Sequence, residues 1–274
     1  MSLGYMTNAF GELVGSGGGV INAKDVRYVT MCDDEDAIKK ITEIGFDNIE
    51  IFDGNLSNYE ENPEKFTEIL EKYNATLLGV YIGAGYIYED ALEDELFRID
   101  KVTELAKKLG AKHIVLGGGA VRAKGIKDSD YKLLAKGVDK ANKIVKKHGL
   151  IASYHPHLGC MVERPEQIDK LFELTDIPFC PDIAHLEAGG GNSLEIIEKY
   201  YDRIKYVHLK DLKDGKFVPL GMGDINLSNI INYFKQNNYN GDWLVEIDGY
   251  SGDSYDACKT SFEFLQEFMP LDKN

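Results

Sequence analysis

Long apolar runs are missing: no stretch approaches the roughly 20 consecutive apolar residues of a membrane-spanning helix. The first residues, Met1-Ser2-Leu3-Gly4-Tyr5, lack the basic-then-apolar order of a secretory signal. A cytoplasmic protein with no membrane partner is the expectation. Cysteine is sparse, four residues at positions 32, 160, 180 and 258 with no CxxC spacing. That pattern argues against a disulfide framework or a closed thiolate zinc site and fits reduced, packed thiols. Basic charge is also short, with 31 Lys and Arg against 46 Asp and Glu for a net charge of −15. Such a chain repels phosphate backbones, and it has no basic stripe interleaved with aromatics, so no nucleic acid partner is expected. Neither GxxxxGK[ST] nor GxGxxG occurs; Gly15-Ser16-Gly17-Gly18-Gly19 opens no helix and reads as a loop over a strand end rather than a phosphate cradle.

What the sequence has in abundance is alternation. At 274 residues, one large α/β domain covering the whole chain is expected over two small ones. Residues 5–10 read as a strand and 26–31 as a second extended piece. Asp33 then caps a helix whose apolar stripe Ala37, Ile38, Ile41 and Ile44 ends at Gly45. From there strands are predicted at 46–52, 75–82, 112–116, 150–155, 178–182, 204–208 and 243–247. Helices are predicted between and after them at 63–73, 92–109, 131–147, 165–174, 194–201, 227–236 and 254–268. Eight strands, eight helices and short connections predict a closed (β/α)8 barrel of the α/β class, a TIM barrel, over an open doubly wound sheet.

In such a barrel the chemistry sits at the carboxyl ends of the strands. Polar residues there are few: Glu50 on strand two, His155 and His157 after strand five, Asp182 and His185 after strand six, His208, Lys210 and Asp211 after strand seven, Glu246 and Asp248 after strand eight. Buried polar side chains need a partner or a metal. Mixed carboxylate and imidazole donors without thiolates suit a catalytic divalent ion, Mn²⁺, Co²⁺, Mg²⁺ or Zn²⁺. Such an ion grips adjacent oxygens of a sugar and polarises its carbonyl while side chains move a proton.

Five segments carry a resemblance: Tyr-His-Pro-His-Leu-Gly (154–159), Asp-Ile-Ala-His-Leu-Glu-Ala-Gly-Gly (182–190), Val-His-Leu-Lys-Asp (207–211), Pro-Leu-Gly-Met-Gly-Asp-Ile-Asn (219–226) and Trp-Leu-Val-Glu (243–246). They resemble the xylose-isomerase-like superfamily of sugar isomerases and epimerases, and within it are most similar to the inosose dehydratase branch. The good motifs lie between about residues 150 and 250; the first half matches in alternation, with Asn48-Ile49-Glu50 as its best point.

The resemblance implies metal ligands at Asp182, His208 and Glu246, a substrate-contacting His185, and Lys210 as a rim lysine holding a hydroxyl, carboxylate or phosphate. The epimerases carry a strand-five Glu that is both ligand and acid/base; this chain has histidines there. His155 is nominated as fourth ligand, with His157 second. Catalytic roles fall to Glu246, His155, His185 and Lys210, and substrate contacts to His157, His185, Lys210 and Glu50. The implied activity is a metal-dependent sugar isomerase or epimerase of carbohydrate metabolism, working by proton transfer beside a metal-polarised carbonyl. The alternative is a lyase dehydrating an inosose (2-keto-myo-inositol) type keto-polyol, favoured by the strand-five histidines. An endonuclease IV-like nuclease and a non-catalytic sugar-binding barrel rank below both. The implied partner is a small sugar or keto-polyol; oligomeric state stays open, a homodimer among the options.

Overall fold

The computed structural model describes residues 1–10, 12–14 and 27–269. The glycine-rich stretch 15–19 and Val26, the start of the second predicted extended piece, lie outside the described residues. Seven parallel strands form one sheet: Leu3–Met6, Asn48–Phe52, Thr76–Ala84, His113–Gly118, Ile151–Tyr154, Tyr206–Leu209 and Asp242–Val245. Numbered by their place in the barrel, their order is five, four, three, two, one, eight, seven. The gap between five and seven is closed by residues 179–182, which bridge Tyr154 to Phe179, Phe179 to Ile204 and Asp182 to His208. The fold is therefore an α/β TIM barrel, nearly closed, with helices alternating with the strands.

The sixth stave differs from the regular strand predicted there. Pro178 and Pro181 have no N–H to give, so they accept from Tyr154 and His208 but cannot donate to a continuous ladder. The first strand also ends earlier than predicted, at Met6, and Thr7–Phe10 turns into a 3-10 helix. Its ladder with strand two stops at the Met6–Glu50 pair, beyond which there is no strand to extend.

Eight main helices follow the predicted positions: Asp34–Ile44, Pro63–Lys72, Glu89–Lys108, Asp128–Lys147, Pro165–Phe172, Ser193–Tyr200, Leu227–Gln236 and Ser254–Gln266. Their ends have local causes. Asp33 accepts from the Asp36 N–H at 2.9 Å, and Pro63 and Pro165 occupy first-turn positions where no N–H is needed. Val29–Met31, within the second extended piece expected, pairs antiparallel with the unpredicted strand Glu12–Val14; the other unpredicted pieces are the short helices Asp53–Ser57 and Ile183–Ala188 and the antiparallel hairpin Asp211–Lys213 with Lys216–Val218.

Strand alternation splits the core in two. Ile49, Ile51, Val207 and Leu209 face outward into the layer beneath the helices. Met6, Phe52, Leu78, Tyr81, Val115, Cys180, Tyr206 and Leu244 form a separate cluster inside the barrel. On strand seven Tyr206 belongs to the inner set and Val207 to the outer, so period two sends His208 inward and Leu209 outward.

Candidate active site

Register brings the polar strand ends together. Asp182 bridges His208 across the closing stave, and Leu244 pairs with His208, which leaves Glu246 one inward position further along strand eight. His155 follows strand five, its N–H bonded to the Leu116 carbonyl at 3.0 Å. As a result, one donor atom from each of His155, Asp182, His208 and Glu246 lies within 4.8 Å of the other three, all four residues being buried. A second trio, His157, His185 and Asp248, meets the same distance limit beside them.

The contacts inside this cluster are short. His208 Nδ1 lies 2.8 Å from Glu246 Oε2, and His155 Nε2 lies 3.5 Å from Asp182 Oδ2. Lys210 Nζ sits among three carboxylates, 2.9 Å from Asp182, 2.9 Å from Asp248 and 3.4 Å from Glu246. It is also 3.1 Å from His185 Nε2 and lies over the Phe217 ring, 4.9 Å from its centroid. Asp182 caps the short helix Ile183–Ala188 by accepting the His185 backbone N–H at 3.0 Å, which fixes the Asp182 carboxylate against the first turn.

Charge balance follows from these distances. Burial works to raise the Asp182 carboxyl, but Lys210, His185 and His155 hold it well below the usual carboxylate range. Burial works to lower the Lys210 ammonium, and Asp182, Asp248 and Glu246 together raise it above its ordinary value. His185 is pushed down to about 4, first by burial and then by Lys210. Lys210 is thus a fixed cation and His185 a neutral imidazole at neutral pH. Burial opposes protonation of His208, yet Cys180, Glu50 and Glu246 raise it well above the ordinary imidazole range. The carboxylate surplus draws positive charge to this spot.

The donor set fits a divalent ion. Both ring nitrogens of His155 are buried without a hydrogen-bond partner, an arrangement that costs free energy unless something else satisfies it. Imidazole nitrogens and carboxylate oxygens are the ligands such ions take.

Comparison with known proteins agrees with this geometry. Residues 38–268 match the xylose isomerase-like TIM barrel family. The chain belongs to that family. Among curated proteins it is 28% identical to an inosose dehydratase of Clostridium perfringens, over 78% of this chain and 82% of that protein. Among solved structures it resembles the probable 3-DHS dehydratase AsbF of Bacillus anthracis, with a TM-score of 0.77, 13% identity and all of both chains covered. It also resembles the 3-keto-D-glucoside 4-epimerase YcjR of E. coli, with a TM-score of 0.73, 17% identity, and 97% and 99% of the two chains covered. At those identities the structural matches speak for the fold.

Within this xylose isomerase-like barrel, seven of the eight residues singled out from sequence, His155, His157, Asp182, His185, His208, Lys210 and Glu246, fall in the two donor groups or bind between them. The eighth, Glu50, lies behind His208: it is fully buried, with Oε1 3.5 Å from His208 Nε2. Asp211 is buried outside both groups and accepts the N–H groups of Leu212, Gly221 and Gly223 at 2.9–3.0 Å, pinning the loop that follows strand seven. Gly223 comes so close that a Cβ there would lie 2.0 Å from Asp211 Oδ1.

Asp248, which follows Glu246 at period two and stands among the polar strand ends of the sequence, has a place in the second donor group although no role was assigned to it. Phe217, whose ring packs edge-on to His185 at 5.1 Å, sits on the hairpin after strand seven, where no periodic pattern announces it. Tyr28 and Phe52 pack with Tyr81, and the Tyr81 ring in turn meets His155 edge-on at 5.6 Å, giving the site an aromatic wall.

Proposed function

We propose that this protein is a divalent-metal-dependent lyase that removes water from a keto-polyol of the inosose type. In this reading His155, Asp182, His208 and Glu246 hold the ion, which when bound supplies Lewis-acid polarisation of the substrate carbonyl. Glu50 holds His208 from behind and does not touch substrate. Such outer carboxylates orient a ligating imidazole and raise its basicity.

The observation that carries the reading is the His185 imidazole set 3.1 Å from the buried Lys210 ammonium. A two-base epimerase needs a carboxylate on each face of the reacting carbon, and Glu50, the sequence's candidate for the second, is sealed behind His208. Dehydration needs a base for the proton beside the carbonyl and a donor for the departing hydroxyl. As the Lys210 ammonium turns from His185 Nε2 to that hydroxyl, Nε2 is freed to take the proton from the carbon beside the carbonyl; the electron pair left behind forms the carbon–carbon double bond as the neighbouring C–O bond breaks. The departing hydroxyl receives that proton and leaves as water, with Lys210 donating a hydrogen bond to it. The matched inosose dehydratase supports the same reaction class.

Isomerase or epimerase chemistry shares the proton abstraction and differs in where the proton returns. Incubating Mn²⁺- or Co²⁺-loaded protein with 2-keto-inositol and with a panel of ketoses separates the two. The expected result is a new conjugated absorbance and loss of water from the keto-inositol. Deuterium uptake from solvent into a ketose, with no dehydration of any substrate, overturns the proposal in favour of isomerase or epimerase chemistry.

A further inference from the structure

The trio His157, His185 and Asp248 has the donor chemistry of a second metal site. The His157 Nδ1 faces the Leu158 carbonyl oxygen at 2.8 Å. A carbonyl can only accept, so the proton is on Nδ1 and the lone pair on Nε2. The Lys210 ammonium can only donate, so the lone pair of the neutral His185 ring is on Nε2, 3.1 Å from Lys210 Nζ, and the two rings lie 3.9 Å apart. Two imidazoles and a carboxylate beside the four-residue donor group is the pattern of a two-ion site.

Lys210 interrupts that pattern. Its Nζ lies 2.9 Å from Asp248 Oδ2 and 3.1 Å from His185 Nε2, two members of the second trio, and 2.9 Å from Asp182 Oδ2 and 3.4 Å from Glu246 Oε2, two members of the first. The ammonium therefore stands where the two donor groups adjoin. It is fully buried, so no water screens its charge from a neighbouring cation. We infer that Lys210 takes the place of a second divalent ion and limits the centre to one. The inference rests on the metal-binding reading above and goes beyond it, because it concerns how many ions bind rather than what they do. Its consequence is chemical: a single ion beside a fixed ammonium handles hydroxyl and carbonyl oxygens without forming the paired-ion clamp that in-line phosphoester cleavage uses.

Metal counting by equilibrium dialysis against Mn²⁺ and Co²⁺, with atomic absorption, tests it on the full chain. Wild type is expected to bind one ion per chain, Lys210→Met two, Lys210→Arg one, and Lys210→Met with Asp248→Asn one. Lys210→Met is purified in excess Mn²⁺ so that its uncovered carboxylates are compensated. A wild type that binds two ions, or a folded Lys210→Met that binds one, overturns the inference. Independently of that variant's folding, His157→Ala in an otherwise wild-type chain keeps one ion with affinity within about threefold of wild type; a fall beyond tenfold overturns it. A wild type that binds no divalent ion at all fails the metal-binding reading itself, and the inference with it.

Discussion

The two ends of the barrel treat buried polar groups in opposite ways. At the amino end, Asp242 opens strand eight and His113 opens strand four, and they meet at 2.9 Å. The other Asp242 oxygen accepts the Ser2 N–H at 2.9 Å, and the His113 ring stacks on Tyr206 with centroids 4.3 Å apart. Burial would raise the Asp242 carboxyl, but His113 and the Ser2 N–H bring it down to about 2. Here both oxygens of the Asp242 carboxylate have protein partners in place, although His113 Nδ1 has no hydrogen-bond partner. At the carboxyl end, the His155 ring has no hydrogen-bond partner, and one ammonium serves three carboxylates. The difference separates polar groups placed for stability from polar groups placed to receive something, the division of labour expected of this barrel type.

Substitutions at the two ends sharpen that contrast. The largest effect is expected from Asp182→Asn and His208→Ala: loss of bound metal and a fall of roughly 10³-fold or more in kcat/KM, since the ion supplies several kcal/mol of transition-state stabilisation. Circular dichroism stays that of the folded protein. Full metal content in both variants would erase the distinction between the ends. Next comes Glu50→Gln, expected to weaken metal affinity about 10–100-fold, as loss of an outer carboxylate does, while kcat at saturating metal stays near wild type. A raised KM for substrate with unchanged metal affinity would instead make Glu50 a substrate contact.

The smallest functional effect belongs to Asp242→Asn, which leaves kcat unchanged and costs about 1–2 kcal/mol of stability at neutral pH. The sign follows from the lowered carboxyl. An aspartate at about 2 when folded and about 3.9 when unfolded contributes stability that is fully present above pH ~4 and lost as pH falls through 2. Denaturant titrations should therefore show wild type and Asp242→Asn converging in acid. A constant gap between them from pH 7 to pH 2 would mean that the pair with His113 carries no net stabilisation.

From Asp33 onward, apolar periodicity and breaker residues located nearly every strand and helix, because burial on one stripe or one face leaves a pattern in the residues themselves. The same logic found His155, Asp182, His208 and Glu246, whose polarity stands out against apolar strands. Depth was harder to read. Glu50 in the middle of strand two and His208 near the end of strand seven both point inward, yet only their relative stagger puts Glu50 behind His208. Stagger is a property of paired strands and is written in neither sequence alone. Phe217 was illegible for another reason: the loop bearing it takes its shape from Asp211 and its backbone N–H contacts, an arrangement that leaves no repeat to detect.

The closing stave carries one further consequence. Pro178 and Pro181 give up two ladder donors, and in the same stroke they restrict the torsions open to the unfolded chain, which lowers the entropy lost on folding. Asp182 therefore follows backbone that is stiff on its own account. The rings add to the ladder rather than replace it: residues 178–181 still make lateral backbone hydrogen bonds with Tyr154, Arg203, Lys205 and His208, so the approach to Asp182 is held both by its neighbours and by its own stiffness.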